Sequence, residues 1–216
     1  KVDFNRLSQE GRIDYVLLES RLKSEQAQLR REEKLAGEMA ALVPFAPLIT
    51  DLEERRRRFE PVDAPGSAKA LAKMAQAVDS LTRAARAKPA NSATRAEKII
   101  ALRTVGYLDD LLTTLRAWQR FYSGYDPEFS WWTADPMRRA TTAMTAYQRA
   151  IREAIIGQRE GQEEPIIGDP IGAEGLREDL EAEMIAYTPE ELIALAEREF
   201  QWIDAEKAKA AREMGF

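Results

Sequence analysis

Apolar residues return every three, four or seven positions through most of this 216-residue chain, and no long segment alternates apolar with polar. A period near 3.6 builds helices and a period of 2 builds strands, so the pattern predicts an all-α protein. Residues 8–42 show it best. They carry Ile13, Leu17, Leu18, Leu22, Leu29, Leu35, Met39 and Leu42 among charged residues, which makes one long amphipathic helix of roughly 50 Å at 1.5 Å per residue. Pro44 and Pro47 interrupt it, because proline lacks an amide donor and restricts the residue before it. A shorter helix is expected through Phe59, stopped by Glu60-Pro61. A third is expected from Ala68 to Lys88, capped by Ser67 and broken by Pro89-Ala90-Asn91-Ser92. The fourth, over 93–123, has apolar positions on more than one stripe and is predicted to be the most buried, with Gly124 as a left-handed stop. Asp135-Pro136 reads as cap and first residue of a fifth helix that stops at Gly157. A short sixth covers 173–184. Thr188-Pro189-Glu190-Glu191 is a capping-box start for a seventh, which runs to Met214 with Gly215 as its C-cap. About seven mostly antiparallel helices in an elongated bundle is the predicted architecture.

The chain contains no cysteine and no histidine. Disulfides, thiol nucleophiles, thiolate or imidazole metal sites and His-based triads are therefore out of reach of its own residues. Formal net charge is −5, but residues 1–150 hold 25 Lys and Arg against 20 Asp and Glu, while 151–216 hold 7 against 17. No electrostatic footprint for nucleic acid is expected from that balance. The one basic run, Arg55-Arg56-Arg57-Arg58, lies between Glu53-Glu54 and Glu60 and reads as a solvated helix face with local ion pairs. The longest uncharged apolar stretch, 40–49, is far short of the ~20 residues a membrane helix needs.

Three features carry the remaining chemistry. Tyr122, Tyr125, Phe129, Trp131 and Trp132 fall within eleven positions and are expected in a compact aromatic loop over 122–136. Such a loop either plugs the end of the bundle or floors a binding cleft. The segment 166–172 holds Gly168 and Gly172 around Asp169-Pro170, a turn without the Lys-Ser/Thr element of a phosphate loop. Carboxylates crowd the last third, at Glu178, Asp179, Glu181, Glu183, Glu190, Glu191, Glu197 and Glu199. A carboxylate-bridged di-metal site in a bundle also needs Glu-x-x-His on two helices, so these acids are read as helix surface.

Trp131-Trp132, then Pro165-Ile166-Ile167-Gly168-Asp169-Pro170-Ile171-Gly172, and then Tyr187-Thr188-Pro189-Glu190-Glu191-Leu192-Ile193 and Glu199-Phe200 to Glu213-Met214-Gly215-Phe216 form a recognisable series. Together they resemble a bacterial family called domain of unknown function 885, many of whose members look like exported lipoproteins. Leu7-Ser8, Arg12-Ile13-Asp14 and Leu17-Leu18 are similar to that family's first helix. The resemblance implies the N-terminal helical part of a gluzincin-type, HExxH zinc-peptidase-like protein, exported in bacteria and periplasmic or lipoprotein-anchored. Zinc, its ligands and the general-base glutamate are then implied for the parent protein and not for any residue here, since no HExxH occurs in the chain. The expectation is a single helical region, 1–216, forming part of a longer chain, with long helices in 1–123 and the aromatic loop and acidic helices in 124–216. Its implied role is to wall a substrate cleft and to dock the catalytic half, leaving a contiguous apolar face bare. Trp131, Trp132, Asp169 and Tyr187 are the candidate cleft residues toward a peptide substrate. The alternative is a free-standing helical interaction module.

Overall fold

The computed structural model describes residues 2–89, 92–158, 161 and 165–215. Among them are seven α-helices and no strand: α1 (Gln9–Met39), α2 (Ala46–Arg57), α3 (Ala64–Arg86), α4 (Arg95–Ser123), α5 (Pro127–Ile151), α6 (Gly172–Ala182) and α7 (Pro189–Glu213). The all-α, bundle-like class therefore holds. Of the expected break at 89–92, Ala90 and Asn91 lie outside the described residues, as do 159, 160 and 162–164 in the polar stretch before Pro165. The chain divides into two compact units, one of Lys1–Lys34 with Pro170–Phe216, the other of Leu35–Asp169.

The larger unit holds the hydrophobic core. α3, α4 and α5 each bury nine residues, so α4 is not more deeply placed than its neighbours. Alanines 101, 140, 143 and 150 let the backbones approach closely, while Leu108, Leu115, Met144 and Trp118 fill the space between them. α4 and α5 run antiparallel, since Gln148 donates to the Val105 carbonyl (3.1 Å) at one end and Trp118 packs on Phe129 at the other. Buried Thr82, Thr104 and Thr133 donate to the carbonyl four residues back and so cost the core no orphaned hydroxyl. Tyr147 donates to the Leu42 carbonyl (2.8 Å), tying the segment after α1 to α5. Burial pushes its phenol up to about 12.

Helix boundaries correct the sequence reading in three places. α5 starts at Asp126-Pro127, nine residues before the expected Asp135-Pro136, so the expected aromatic loop is mostly the first turns of a helix. Asp126 accepts from the Phe129 amide (2.9 Å), and Phe129, Thr133, Met137 and Ala140 then line one buried face. Pro136 removes one donor from that helix, and burial on either side of it holds the segment helical. α3 starts earlier too, capped by Asp63, which accepts from the Gly66 amide, and not by Ser67. Gly124 has φ −74, so α4 ends without a left-handed residue. Gly157 does stop its helix at φ 85, after a π-helical turn over Arg152–Ile156 that brings both Ile155 and Ile156 into the core. Gly215, at φ 80, takes the expected left-handed position after α7.

The smaller unit is built differently. α6 packs on the Ala27–Arg31 side of α1: Arg31 donates to the Gly175 carbonyl (3.1 Å) and to Asp179 (2.9 Å), and Arg30 to Glu178 (3.2 Å). Ala27 and Gly175 are its buried residues among those described. α7 begins at the predicted capping box, with Thr188 and Glu191 satisfying each other's backbone amides, and buries no residue.

Candidate functional site

Within the larger unit, the candidate cleft residues Asp169, Trp131 and Trp132 do not come together in one site. Asp169 is already engaged: the Arg103 guanidinium grips it with two bonds (2.8 and 2.7 Å) and reaches Glu38 with a third (2.7 Å). Arg103 holds the Asp169 carboxyl below the usual carboxylate range, against the opposing effect of burial. An anion fixed in this way clasps the 165–169 segment to α4 and does not move protons near neutral pH. Arg103 is absent from the sequence-based candidates, though a signal is present: it is a lone cation in the apolar stretch Ile99 to Leu108.

Trp131 and Trp132 lie at the other end of α4 and α5. There Trp118, Tyr122 and Phe129 form a buried aromatic cluster with centroid separations of 5.0 to 5.8 Å. These three seal the end of the bundle, while Trp131 is 74% exposed and Trp132 stands beside it at 4.8 Å. The plug and the exposed platform are therefore different residues. Fifteen to nineteen residues of α4 separate Arg103 from the cluster, about 25 Å at 1.5 Å per residue. Tyr187 belongs to the smaller unit, exposed in the connection between α6 and α7.

No acid–base pair emerges among the described residues. Glu53, Glu97 and Asp169 are the carboxylates with a distinct pKa shift, and all three move down. Glu53 is held by Arg56 and Arg57, and Glu97 by the Thr94 cap. The basic run is locally paired as expected, with Arg55 on Asp51, Arg56 and Arg57 on Glu53, and Arg58 on Glu54. No group of three or more Asp and Glu among the described residues is placed to hold a metal ion.

What stands out is apolar surface in the smaller unit. Among the described residues, eighteen of the twenty-four large hydrophobic side chains that stand exposed belong to it, though it is little more than a third of the chain. On α1, Leu18, Leu22 and Leu29 succeed one another at four- and seven-residue steps on the side away from α6, all about half exposed. On α7, Ile193 and Phe200 share a stripe, and Trp202 lies on the opposite side. Residues predicted to be core by periodicity thus face solvent here. No family model, curated protein or solved structure matches the chain.

Proposed function

We propose that this chain is a non-catalytic helical portion of a zinc-dependent, peptidase-like protein, whose smaller unit docks the catalytic half and helps wall the substrate cleft. The observation that carries this reading is the bare apolar faces of α1 and α7. Monomeric proteins seldom leave so much large apolar side chain uncovered in so small a unit, and contiguous patches of that kind mark protein contacts. The resemblance to the domain-of-unknown-function 885 family supplies the class of partner, and with it export in bacteria. The residues present do not fit the zinc site itself: a chain without His or Cys, whose described acids make no cluster, lacks the donor set. No catalytic step is assigned to them. Among the described residues, no helix is long and apolar enough to cross a membrane.

The test is to sequence the gene beyond Phe216 and co-express any downstream segment with this chain. The expected result is an HExxH helix in the same reading frame, in a segment that co-purifies with this chain and slows amide exchange in α1 and α7. A stop codon directly after Phe216 refutes the reading and leaves the free-standing interaction module. Chelator-sensitive peptide hydrolysis by this chain alone refutes it as well.

A further inference from the structure

α1 sorts its charges by side. At about 100° per residue, the exposed Tyr15, Leu18, Leu22 and Leu29 fall close to one line, on the side away from α6. Five exposed acids, Asp14, Glu19, Glu25, Glu32 and Glu33, lie within about 75° of that line, and no lysine or arginine does. The cations of the helix stand farther round, where Arg30 and Arg31 pair with Glu178 and Asp179 of α6. Asp14 and Glu33 make no ion pair among the described residues. Glu19 and Glu25 have exposed partners one turn away on the same helix, Lys23 and Arg21. α7 repeats the pattern: Ile193 and Phe200 share their stripe with Glu190, Glu197 and Asp204, and with Lys207 at its far end. The smaller unit as a whole holds 13 Lys and Arg against 19 Asp and Glu, while the larger holds 19 against 18.

That pattern decides what can cover the α1 stripe. A second copy that meets it with its own α1 or α7 face sets acids against acids, and an anionic lipid surface does the same. We propose that the α1 face docks a basic amphipathic helix. The partner's apolar stripe lies over Tyr15, Leu18, Leu22 and Leu29, and lysines or arginines on either side of it meet the five acids. From Tyr15 to Leu29 the stripe is about 21 Å long at 1.5 Å per residue, so a helix of about four turns covers it. In such a seam the apolar side chains supply affinity, and the flanking charges select the partner and its orientation. The proposal rests on the docking role inferred above and not on zinc or peptidase chemistry, since it specifies the surface of the partner and nothing of what the partner catalyses.

The experiment titrates the whole chain into a fluorescein-labelled peptide of three heptads, with leucine at the two seam positions of each heptad and lysine at the positions flanking them, and reads anisotropy. Two controls are the same peptide with glutamate for lysine, and a shuffled peptide of the same composition without the stripe. The lysine peptide is expected to bind saturably, and each control about tenfold or more weakly at low salt. Leu22→Ser, at a half-exposed side chain, should weaken binding about fivefold or more with the helical circular dichroism unchanged. Asp14→Asn combined with Glu33→Gln should weaken it about three- to tenfold, the range of two exposed charge contacts. Asp109→Asn with Asp110→Asn, at exposed acids of the larger unit, should leave it as it is. Equal affinity for the lysine and glutamate peptides, or for the striped and shuffled ones, overturns the proposal. So does a dimer in sedimentation, or uptake by phosphatidylglycerol vesicles, that Leu22→Ser abolishes. A stop codon after Phe216 removes the peptidase reading and leaves this binding standing, whereas loss of peptide binding beside a co-purifying HExxH segment removes the basic helix alone.

Discussion

Arg103→Met tests whether a clasp between residues 65 and 66 positions apart in sequence holds the 165–169 segment. Methionine keeps much of the aliphatic stem and deletes the guanidinium, which makes three charge-assisted bonds of 2.7 to 2.8 Å. Breaking a fully buried pair costs about 3–5 kcal/mol, and that is the ceiling. Arg103 is 17% exposed, but Glu38 and Asp169 are 35% and 39% exposed and rehydrate when released. With that solvent screening the loss falls to about 2 kcal/mol. Its pH dependence is distinctive. Asp169 has a depressed pKa in the folded state, so it takes a proton more readily when unfolded. The clasp's contribution is complete above the unfolded carboxylate value of ~3.9 and disappears as pH falls through the folded one. Urea unfolding monitored by circular dichroism should therefore show wild type about 2 kcal/mol more stable at pH 7, a gap that narrows toward pH 3. A double-mutant cycle with Asp169→Asn should give a coupling of about 1–2 kcal/mol at pH 7. A variant as stable as wild type at pH 7, or equally weakened at pH 3 and pH 7, refutes the clasp.

Local geometry sets two further outcomes. Phe59 ends α2 in the left-handed region at φ 56 while 88% exposed, so Phe59→Gly removes strain at little cost in burial and should raise the melting temperature by about 1–4 °C; a fall on thermal scanning contradicts it. Phe129, fully buried against Trp118, should lose about 3–5 kcal/mol of urea stability on truncation to Ala. Trp131→Ala, at a side chain 74% exposed, should stay within about 0.5 kcal/mol of wild type; equal losses at both positions would dissolve the distinction between plug and platform.

Local signals are legible where one residue's chemistry decides. The Thr188 capping box, the prolines after α1, and the stops at Gly157 and Gly215 all work within a turn of backbone. Where two equivalent signals compete, sequence alone has no tiebreaker. Asp126-Pro127 and Asp135-Pro136 are the same cap-and-proline pair, and the earlier one starts α5 because Phe129 and Thr133 are buried between them. Tertiary packing makes that choice. The Arg103 clasp is harder still to foresee, since it joins residues from α1, α4 and the segment before α6 that nothing local brings together.

The two units obey one sequence rule with opposite outcomes, and that contrast bears on function. Stripes of Leu, Ile and aromatic residues at helical spacing run through α1 and α7 as through α3, α4 and α5. In the larger unit the stripes meet each other, and in the smaller they meet water. Most helical stability in proteins comes from covering an apolar face. The Thr188 capping box and the Arg30 and Arg31 pairs with α6 add about 1 kcal/mol or less apiece, because they are short-range or solvent-screened. Completing the burial of Leu18, Leu22 and Leu29, each about half exposed, would contribute about 0.8–1.5 kcal/mol apiece. The free energy available from covering the smaller unit thus exceeds what its own polar contacts supply, which makes association the physical expectation for α1 and α7.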